Sequence, residues 1–302
     1  MASFIHNVLR LSLNSTSRVV SDKVITFEYL RGLLEVGTIW MLSPWGIKFD
    51  RFLIGNMQAE IIAPVGKRVQ NKMMLYLHGG GYALGSTQTH RSMVGQIVKL
   101  TRVPALMVDY RKIPEAPCPA AIEDAFAAYC WLLDQGYDGN QIVIAGDSAG
   151  GGLALSTIFA IKENKLPMPA GCICLSPWVD LAVKGKDAKA SELYDPFIRI
   201  NAMKRWGRIY AGELPVENPM VSPLYGDFTG FPPMMVQASD GEVLYSDAVR
   251  LVEAAKKAGV EVDFQVWNGL IHWWHLFWRI IPEAEISIKK IAEFPFFSSK
   301  NP

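Results

Sequence analysis

The strongest constraint on the fold is an alternation of short apolar runs and longer helix-like segments from residue 105 onward. The apolar runs have the length of strands and are bounded by turn residues. The predicted strands are Ala105–Val108, Gln141–Ala145, Gly171–Leu175, Met234–Gln237 and Val262–Trp267, and the predicted helices are Ala120–Leu133, Ala149–Glu163 and Asp247–Ala258. This alternation predicts an α/β fold with a mostly parallel central sheet flanked by helices. Ligands bind at the carboxyl ends of such strands.

The first part of the chain predicts a helical segment over residues 1–44, followed by three further strands. These strands are Ile47–Leu53, Met57–Ile62 and Met73–Leu77. Residues 181–220 interrupt the alternation and contain an aromatic helical stretch at Met203–Tyr210. We expect residues 45–302 to form the main domain. The 181–220 insertion and the N-terminal helices are expected to form a lid over one edge of the sheet.

Charge and cysteine content exclude several classes of protein. The chain has 30 Lys and Arg against 29 Asp and Glu, a formal net charge of +1, which argues against a nucleic-acid partner. It contains no run of 18 apolar residues, so we expect no stable membrane insertion. Its 4 cysteines show no paired CxxC pattern, which argues against a zinc site or a disulfide framework. The first residues lack a secretory signal pattern, which predicts a cytoplasmic protein.

A G-x-S-x-G sequence, Gly146 to Gly150, lies between a predicted strand and a predicted helix. This is the context of a nucleophile elbow, a turn so sharp that it lifts the serine hydroxyl above the sheet. A side chain at position 146 or 150 would clash with this turn. Ser148 is therefore the candidate nucleophile. The alternative is an ordinary glycine-rich turn between a strand and a helix.

A second glycine-rich motif, His78-Gly79-Gly80-Gly81, follows the strand that ends at Leu77. The amides of Gly80 and Gly81, together with that of Ala149, would stabilise a developing oxyanion. A flexible loop or a phosphate cradle is the alternative, but the G-x-x-x-x-G-K-[ST] pattern of a phosphate site is absent. We expect His78 to hold the loop rather than to react.

A serine nucleophile of this kind needs a histidine base and an acid, in the chain order Ser, acid, His. His272 follows the last predicted strand, whereas His275 is expected on the following helix, so His272 is the better candidate. The acid must follow the strand that begins at Met234. Spacing alone leaves Asp240 and Glu242 open, and Asp247 is expected to begin or cap the next helix.

Several longer motifs together resemble the hormone-sensitive-lipase-like family of α/β-hydrolases, in particular its microbial carboxylesterases. The resemblance covers nearly the whole chain from about residue 45. Its motifs are LHGGGY-x-LGS (Leu77–Ser86), DYR-x-x-PE (Asp109–Glu115), PAAIEDA (Pro119–Ala125), GDSAGG (Gly146–Gly151), SPWVDL (Ser176–Leu181), SPLY-x-D (Ser222–Asp227) and G-x-IH (Gly269–His272).

The resemblance implies an α/β-hydrolase fold with an N-terminal helical cap over residues 1–44 and a catalytic domain over 45–302. It implies Ser148 as the nucleophile, His272 as the base, and an oxyanion hole formed by Gly80, Gly81 and Ala149. The family's acid stands in a D/E-x-L frame, which favours Glu242, since Val243 and Leu244 follow it. The family commonly dimerises, and we expect a homodimer through the last strand.

The chain departs from the family at two places. Trp273 follows the histidine where the family often has glycine, and residues 110–115 read Tyr-Arg-Lys-Ile-Pro-Glu in place of Tyr-Arg-Leu-Ala-Pro-Glu. Neither change removes a catalytic group, but both bear on the shape of the pocket. The aromatic residues expected either in the core or on the pocket wall are Tyr82, Trp178, Phe197, Trp206 and Trp273.

The resemblance predicts a serine carboxylesterase that hydrolyses short- to medium-chain acyl esters through an acyl-enzyme, without a metal or cofactor. The partner would be a small-molecule ester. Other acyl-transfer hydrolases (amidase, lactonase or deacetylase) use the same triad and remain alternatives. A non-enzymatic ligand receptor of the same fold is a further alternative, which the retained His272 disfavours.

Overall fold

A single eight-stranded sheet forms the centre of the computed structural model, which describes residues 2–20, 26–38, 41–185 and 194–298. The strand order is β1-β2-β4-β3-β5-β6-β7-β8. The strands are β1 (Ile47–Ile54), β2 (Met57–Pro64), β3 (Met73–Leu77), β4 (Ala105–Val108), β5 (Ile142–Asp147), β6 (Gly171–Leu175), β7 (Met234–Ser239) and β8 (Val262–Trp267). β1 and β2 are antiparallel to their neighbours and the other pairs are parallel. The predicted mostly parallel sheet is confirmed.

All eight predicted strands are present, and four of them (β1, β2, β5 and β7) are longer than expected. β5 continues through Asp147, which pairs with Leu175, and β7 continues through Ser239, which pairs with Trp267. The extra pairs bring Ser148 and the loop after Ser239 directly to the carboxyl edge of the sheet. The last residues of both strands are buried, so hydrogen bonding to a neighbouring strand satisfies their backbone groups.

Helices cover both faces of the sheet. Within the described ranges they are α1 (Phe4–Val20), α2 (Phe27–Thr38), α3 (Thr87–Thr101), α4 (Ala120–Asp134), α5 (Ala149–Glu163), α6 (Ile200–Ala211), α7 (Tyr245–Lys257) and α8 (Pro282–Ile291). One apolar core contains residues of α4, α5 and α7, and a second contains residues of α3 and α8. The central strands β3 to β7 are therefore buried on both sides, as their apolar sequences predict, whereas the edge strands β1 and β8 are half-exposed.

The sequence did not predict α3 and α8. In α3 the buried positions include polar side chains such as His90, Ser92 and Gln96, so the helix shows no clean apolar stripe. Asp247 lies inside the first turn of α7 rather than capping it. His275 lies in a short 3-10 turn, Trp274–Phe277, and not in the helix that was expected there.

Three helices lie near the carboxyl edge of the sheet, where β3 and β5 lead into the two glycine-rich motifs. The ring of Phe27 in α2 lies 5.4 Å from that of Trp206 in α6, and α1 packs against residues that flank His272. Residues 21–25, 39–40 and 186–193 lie outside the described residues, so the boundaries 1–44 and 181–220 of the expected cap stay predictions.

Candidate active site

The turn from β5 into α5 holds Ser148 in a strained backbone conformation. Its φ is 53° and its ψ is −123°, outside the regions that a serine readily adopts. A Cβ at Gly146 would clash with the carbonyl of Gly150, and a Cβ at Gly150 would clash with the carbonyl of Leu77. Both glycines are therefore required by the close approach of neighbouring backbone, as the G-x-S-x-G pattern predicts.

Three residues that are far apart in the sequence meet at this turn. His272 Nε2 lies 2.9 Å from Ser148 Oγ, and His272 Nδ1 lies 2.8 Å from Glu242 Oε2. The other carboxylate oxygen of Glu242 accepts the backbone N–H of Ser239 at 2.8 Å. All three side chains are buried, and Glu242 is fully so. The arrangement has the geometry of a nucleophile, a base and an orienting acid.

The two carboxylates that spacing left open have different partners. Glu242 bonds the imidazole, whereas Asp240 is exposed and its Oδ1 accepts the N–H of Gly269 at 2.6 Å. Asp240 thus holds the loop that precedes the histidine. Asp247 is not a partner of the imidazole; its Oδ2 accepts the amides of Val179 and Asp180 at 3.1 and 2.9 Å.

The electrostatic surroundings of His272 favour its protonated form. Burial acts to lower the pKa of His272. The hydrogen bond and charge of Glu242, together with the charges of Asp195 and Asp147, outweigh burial and raise this pKa above the ordinary 6.5. A base with a raised pKa is well suited to accept a proton from a hydroxyl near neutral pH.

The His78–Gly81 loop lies beside the serine with its glycines in conformations that other residues avoid. Gly80 has a φ of 125° and Gly81 a φ of 63°. Within the described part of the chain, neither amide donates a hydrogen bond to the protein backbone. A Cβ at Gly81 would lie 2.6 Å from the Trp206 ring, so this indole packs directly over the loop.

His78 supports the loop and makes no hydrogen bond to the Ser148–His272 pair. Its ring is buried, stacks on Tyr110 at 4.2 Å, and its Nδ1 lies 2.8 Å from the carbonyl oxygen of Gly79. Tyr110 also donates its hydroxyl proton to the carbonyl of His78 at 2.7 Å. These contacts match the structural role that we expected for His78.

Asp147 connects the three segments that meet at this site, and sequence reasoning missed it. Oδ1 accepts the Tyr76 hydroxyl at 2.8 Å and the Gly79 amide at 3.1 Å, and Oδ2 accepts the Trp273 indole N–H at 2.8 Å and contacts His90 Nε2 at 3.2 Å. Burial opposes ionisation, but the charge and hydrogen bond of His90 and the hydroxyl of Tyr76 lower the pKa of Asp147 to about 2. The available signal was a charged residue at the second position of G-x-S-x-G, between an apolar strand and an apolar helix.

The five aromatic residues expected at the pocket divide into two groups. Tyr82 and Trp178 are buried in the core, where Tyr82 stacks on Tyr210 at 3.7 Å. Phe197, Trp206 and Trp273 are only partly buried. The Phe197 and Trp273 rings lie 5.8 Å apart, and the ring of Trp273 lies 5.8 Å from that of His272. The partly buried group is therefore the better candidate for substrate contact.

A parallel sheet with a serine elbow, a glycine loop and a histidine after its last strand defines the α/β-hydrolase class. Residues 74–276 match a family model described as the alpha/beta hydrolase fold. A solved esterase of the bacterial hormone-sensitive lipase family superimposes with a TM-score of 0.91 at 36% identity, over 97% of this chain and 98% of that one. The chain belongs to the hormone-sensitive-lipase-like family of α/β-hydrolases, as the sequence predicted.

Curated relatives carry names of the same kind. An acetyl-hydrolase of Streptomyces hygroscopicus is 38% identical over 245 residues, 81% of either chain. An esterase of Acinetobacter venetianus is 34% identical over 285 residues, 93% of either chain. This family assignment makes the chain a carboxylic ester hydrolase, which confirms the predicted reaction class.

The described residues present neither a cluster of metal ligands nor a helix able to span a membrane. No group of three or more His, Cys, Asp or Glu side chains is placed there to hold a metal ion. None of the helices in the same ranges has the length and apolar character needed to cross a bilayer.

Proposed function

We propose that Ser148 is the nucleophile of the ester hydrolysis and that His272 is its general base. Oγ of Ser148 attacks the ester carbonyl carbon while His272 Nε2 takes the hydroxyl proton. The 2.9 Å contact between these two atoms is the observation that carries the proposal. Glu242, 2.8 Å from Nδ1, fixes the tautomer and stabilises the imidazolium that forms.

The negative charge that develops on the carbonyl oxygen would be held by the amides of Gly80, Gly81 and Ala149. Gly80 and Gly81 have positive φ values, and among the described residues no backbone carbonyl accepts their amides; both observations support this role. Ala149 is the first residue of α5, where the helix dipole also favours negative charge. Each such donor contributes about 10²–10³-fold in rate.

The attack produces a tetrahedral intermediate. Its collapse would release the alcohol and leave the acyl group as an ester on Ser148. The imidazolium of His272 gives its proton to the departing oxygen. Water then attacks the acyl-enzyme while neutral His272 takes one of its protons. His272 returns that proton to Ser148 Oγ as the bond between Oγ and the acyl carbon breaks, and the carboxylic acid leaves. The reaction consumes one water molecule, and neither a metal nor a cofactor is part of the proposal.

The substrate would be an ester with a short to medium acyl chain. The packing of Trp206 over Gly81 supports this limit, because an indole at that position narrows the space beside the oxyanion loop. Phe197 and Trp273 add apolar surface on the side of His272. The name acetyl-hydrolase of the Streptomyces relative is in keeping with a small acyl group.

The helices α1, α2 and α6 would form the cap.

Turnover of p-nitrophenyl esters of graded chain length tests this function. We expect kcat/KM to peak at short or medium chains, and Ser148→Ala to lower kcat by about 10⁴-fold or more. Cys118→Ala is a matched control, since it also removes a small nucleophile but lies away from the elbow. Retained turnover in Ser148→Ala would refute the nucleophile, and a steady rise toward long emulsified esters would refute the chain-length limit.

We also propose a homodimer through the outer edge of β8 and a cytoplasmic location. Within the described residues β8 pairs only with β7, and Val266 on it is exposed, so its outer edge can accept another strand. The four cysteines are free thiols, which is typical of a reducing compartment. Sedimentation analysis should give a dimer that Val266→Lys weakens. A monomer at micromolar concentration would contradict the proposed interface.

A further inference from the structure

A buried histidine of the first helix contacts the loop that carries the catalytic base. His6 in α1 is fully buried, and its Nε2 lies 3.0 Å from the backbone N–H of Ile271. Ile271 directly precedes His272. The contact joins residues 265 positions apart, so it brings the start of the chain to the back of the catalytic loop.

The contact requires a particular state of the His6 ring. An imidazole nitrogen accepts an N–H only when that nitrogen is unprotonated, so the neutral ring must carry its proton on Nδ1. Burial lowers the pKa of His6 and the nearby Arg10 acts in the same direction, whereas Glu283 and Asn7 oppose them. His6 Nδ1 has no hydrogen-bond partner in the described part of the chain.

Apolar contacts hold α1 against the same loop. Leu9 and Leu13 pack on a buried cluster that includes Leu270, Ile271 and Trp274. Just before α1, Ser3 donates to Glu283 at the start of α8 through both its amide and its hydroxyl, and its hydroxyl oxygen accepts the His6 backbone N–H at 3.3 Å. The helix is thus fixed at several points, and among its described side chains His6 is the one that bonds the backbone next to His272.

We propose that His6 is a positioning residue that holds the backbone before His272 and thereby directs its Nε2 at Ser148. The inference rests on the proposed function, because it takes His272 as the base. His6 lies behind the loop and touches neither substrate nor reacting atoms. Loss of the bond would leave a buried Ile271 N–H without an acceptor and would let the loop adopt other orientations. Fewer molecules would then hold the reactive geometry, while substrate binding would persist.

Three variants separate positioning from general support of α1. His6→Leu removes the acceptor, His6→Gln replaces it with an amide oxygen, and Leu13→Ala removes an apolar contact of the same helix. We expect His6→Leu to lower kcat about tenfold with KM within about twofold of the native value. His6→Gln should recover most of the loss, and Leu13→Ala should retain most of the native kcat. Equal losses in His6→Leu and Leu13→Ala, or a native kcat in His6→Leu, would overturn the proposal.

A measurement on the native protein covers the case in which His6→Leu does not fold. Nitrogen-15 NMR of the histidine rings should show His6 in the Nδ1–H tautomer, with Nε2 coupled to the Ile271 amide. A His6 ring that carries its proton on Nε2 would overturn the proposal. His272→Ala distinguishes a failure of the proposed function from a failure of the role assigned to His6. If that variant stays active, the proposed function fails, whereas an inactive His272→Ala beside a fully active His6→Leu defeats only the role of His6.

Discussion

The indole nitrogen of Trp273 donates a hydrogen bond to Asp147 across a distance of 2.8 Å. This bond joins the residue after His272 to the residue before Ser148. Trp273 has a φ of 62°, in the left-handed region that favours glycine, which is the residue that the family often has there. A hydrogen bond to an ionised acceptor is stronger than a neutral one and offsets part of the backbone strain.

Trp273→Phe should lower both stability and activity. The phenyl ring keeps most of the packing but cannot donate to Asp147, so we expect a loss of about 2 kcal/mol in the free energy of unfolding and about tenfold in kcat/KM. Trp278→Phe is the matched control, because the Trp278 indole also donates a single hydrogen bond, to Ser92 at 3.1 Å. Chemical denaturation and p-nitrophenyl ester kinetics measure both. Equal activity losses in the two variants would remove any special role for Trp273.

Glu242→Gln should damage catalysis far more than Asp240→Asn. Glutamine cannot hold the imidazolium by charge, so kcat should fall by about 10³-fold or more. Asparagine at position 240 can still accept the Gly269 amide, and we expect activity within about threefold of native. Steady-state kinetics decide between them, and the reverse order would identify Asp240 as the acid.

The pH profile of kcat/KM should reflect the environment of His272. The base is active when neutral, so activity falls as the pH drops through the raised pKa of His272, which lies above 6.5. Glu242→Gln removes the group that raises this pKa, and the acid limb of the residual activity should move to lower pH. An unmoved acid limb would mean that another group controls it.

Asp247 should make stability fall as the pH rises toward neutrality. Burial and the neighbouring charge of Asp180 raise the pKa of Asp247 from 3.8 to about 7, although the Val179 and Asp180 amides and Arg250 oppose this. The folded chain therefore binds this proton more tightly than the unfolded chain. The stabilisation is complete below about pH 4 and is lost as the pH rises through 7.

Asp247→Asn tests this dependence, since its amide oxygen can still accept the two backbone N–H groups. Between pH 5 and pH 8, the Tm of the native protein should fall relative to that of the variant. Melting curves that shift in parallel over this range would show that Asp247 does not titrate there.

Gly81→Ala should lower kcat by about 10²-fold or more by displacing the oxyanion loop. The added methyl group meets both a φ of 63° and the Trp206 ring. Gly136→Ala is the control, because Gly136 has a φ of 88° but open space around the position of a Cβ. Both variants introduce backbone strain, and only the first should impair catalysis. Similar kcat values for the two would argue against Gly81 in the oxyanion hole.

Sequence patterns predicted the sheet because its central strands are continuously apolar and its turns are rich in glycine. They also pointed to Ser148, His272 and the glycine loop, because the steric demands of the elbow and the loop leave a distinct pattern. Spacing left Asp240 and Glu242 open, and the family resemblance favoured Glu242. The α3 helix was not predicted, because its buried face carries the polar residues His90 and Ser92 and so lacks the apolar spacing that indicates a helix. Asp147 and His6 were not predicted, because local spacing does not reveal partners that are distant in the chain. The partner of Asp147 is Trp273, and that of His6 is Ile271.

Trapping the acyl-enzyme tests the central claim most directly. The native protein is mixed with p-nitrophenyl acetate, quenched in acid, digested and analysed by mass spectrometry. We predict one acetyl group per chain, located on Ser148. In a His272→Ala variant that is acylated slowly and then held at neutral pH, more of the acetyl-enzyme should accumulate, because the base that activates water is absent. An acetyl group on another residue, or turnover by Ser148→Ala without any adduct, would contradict the account.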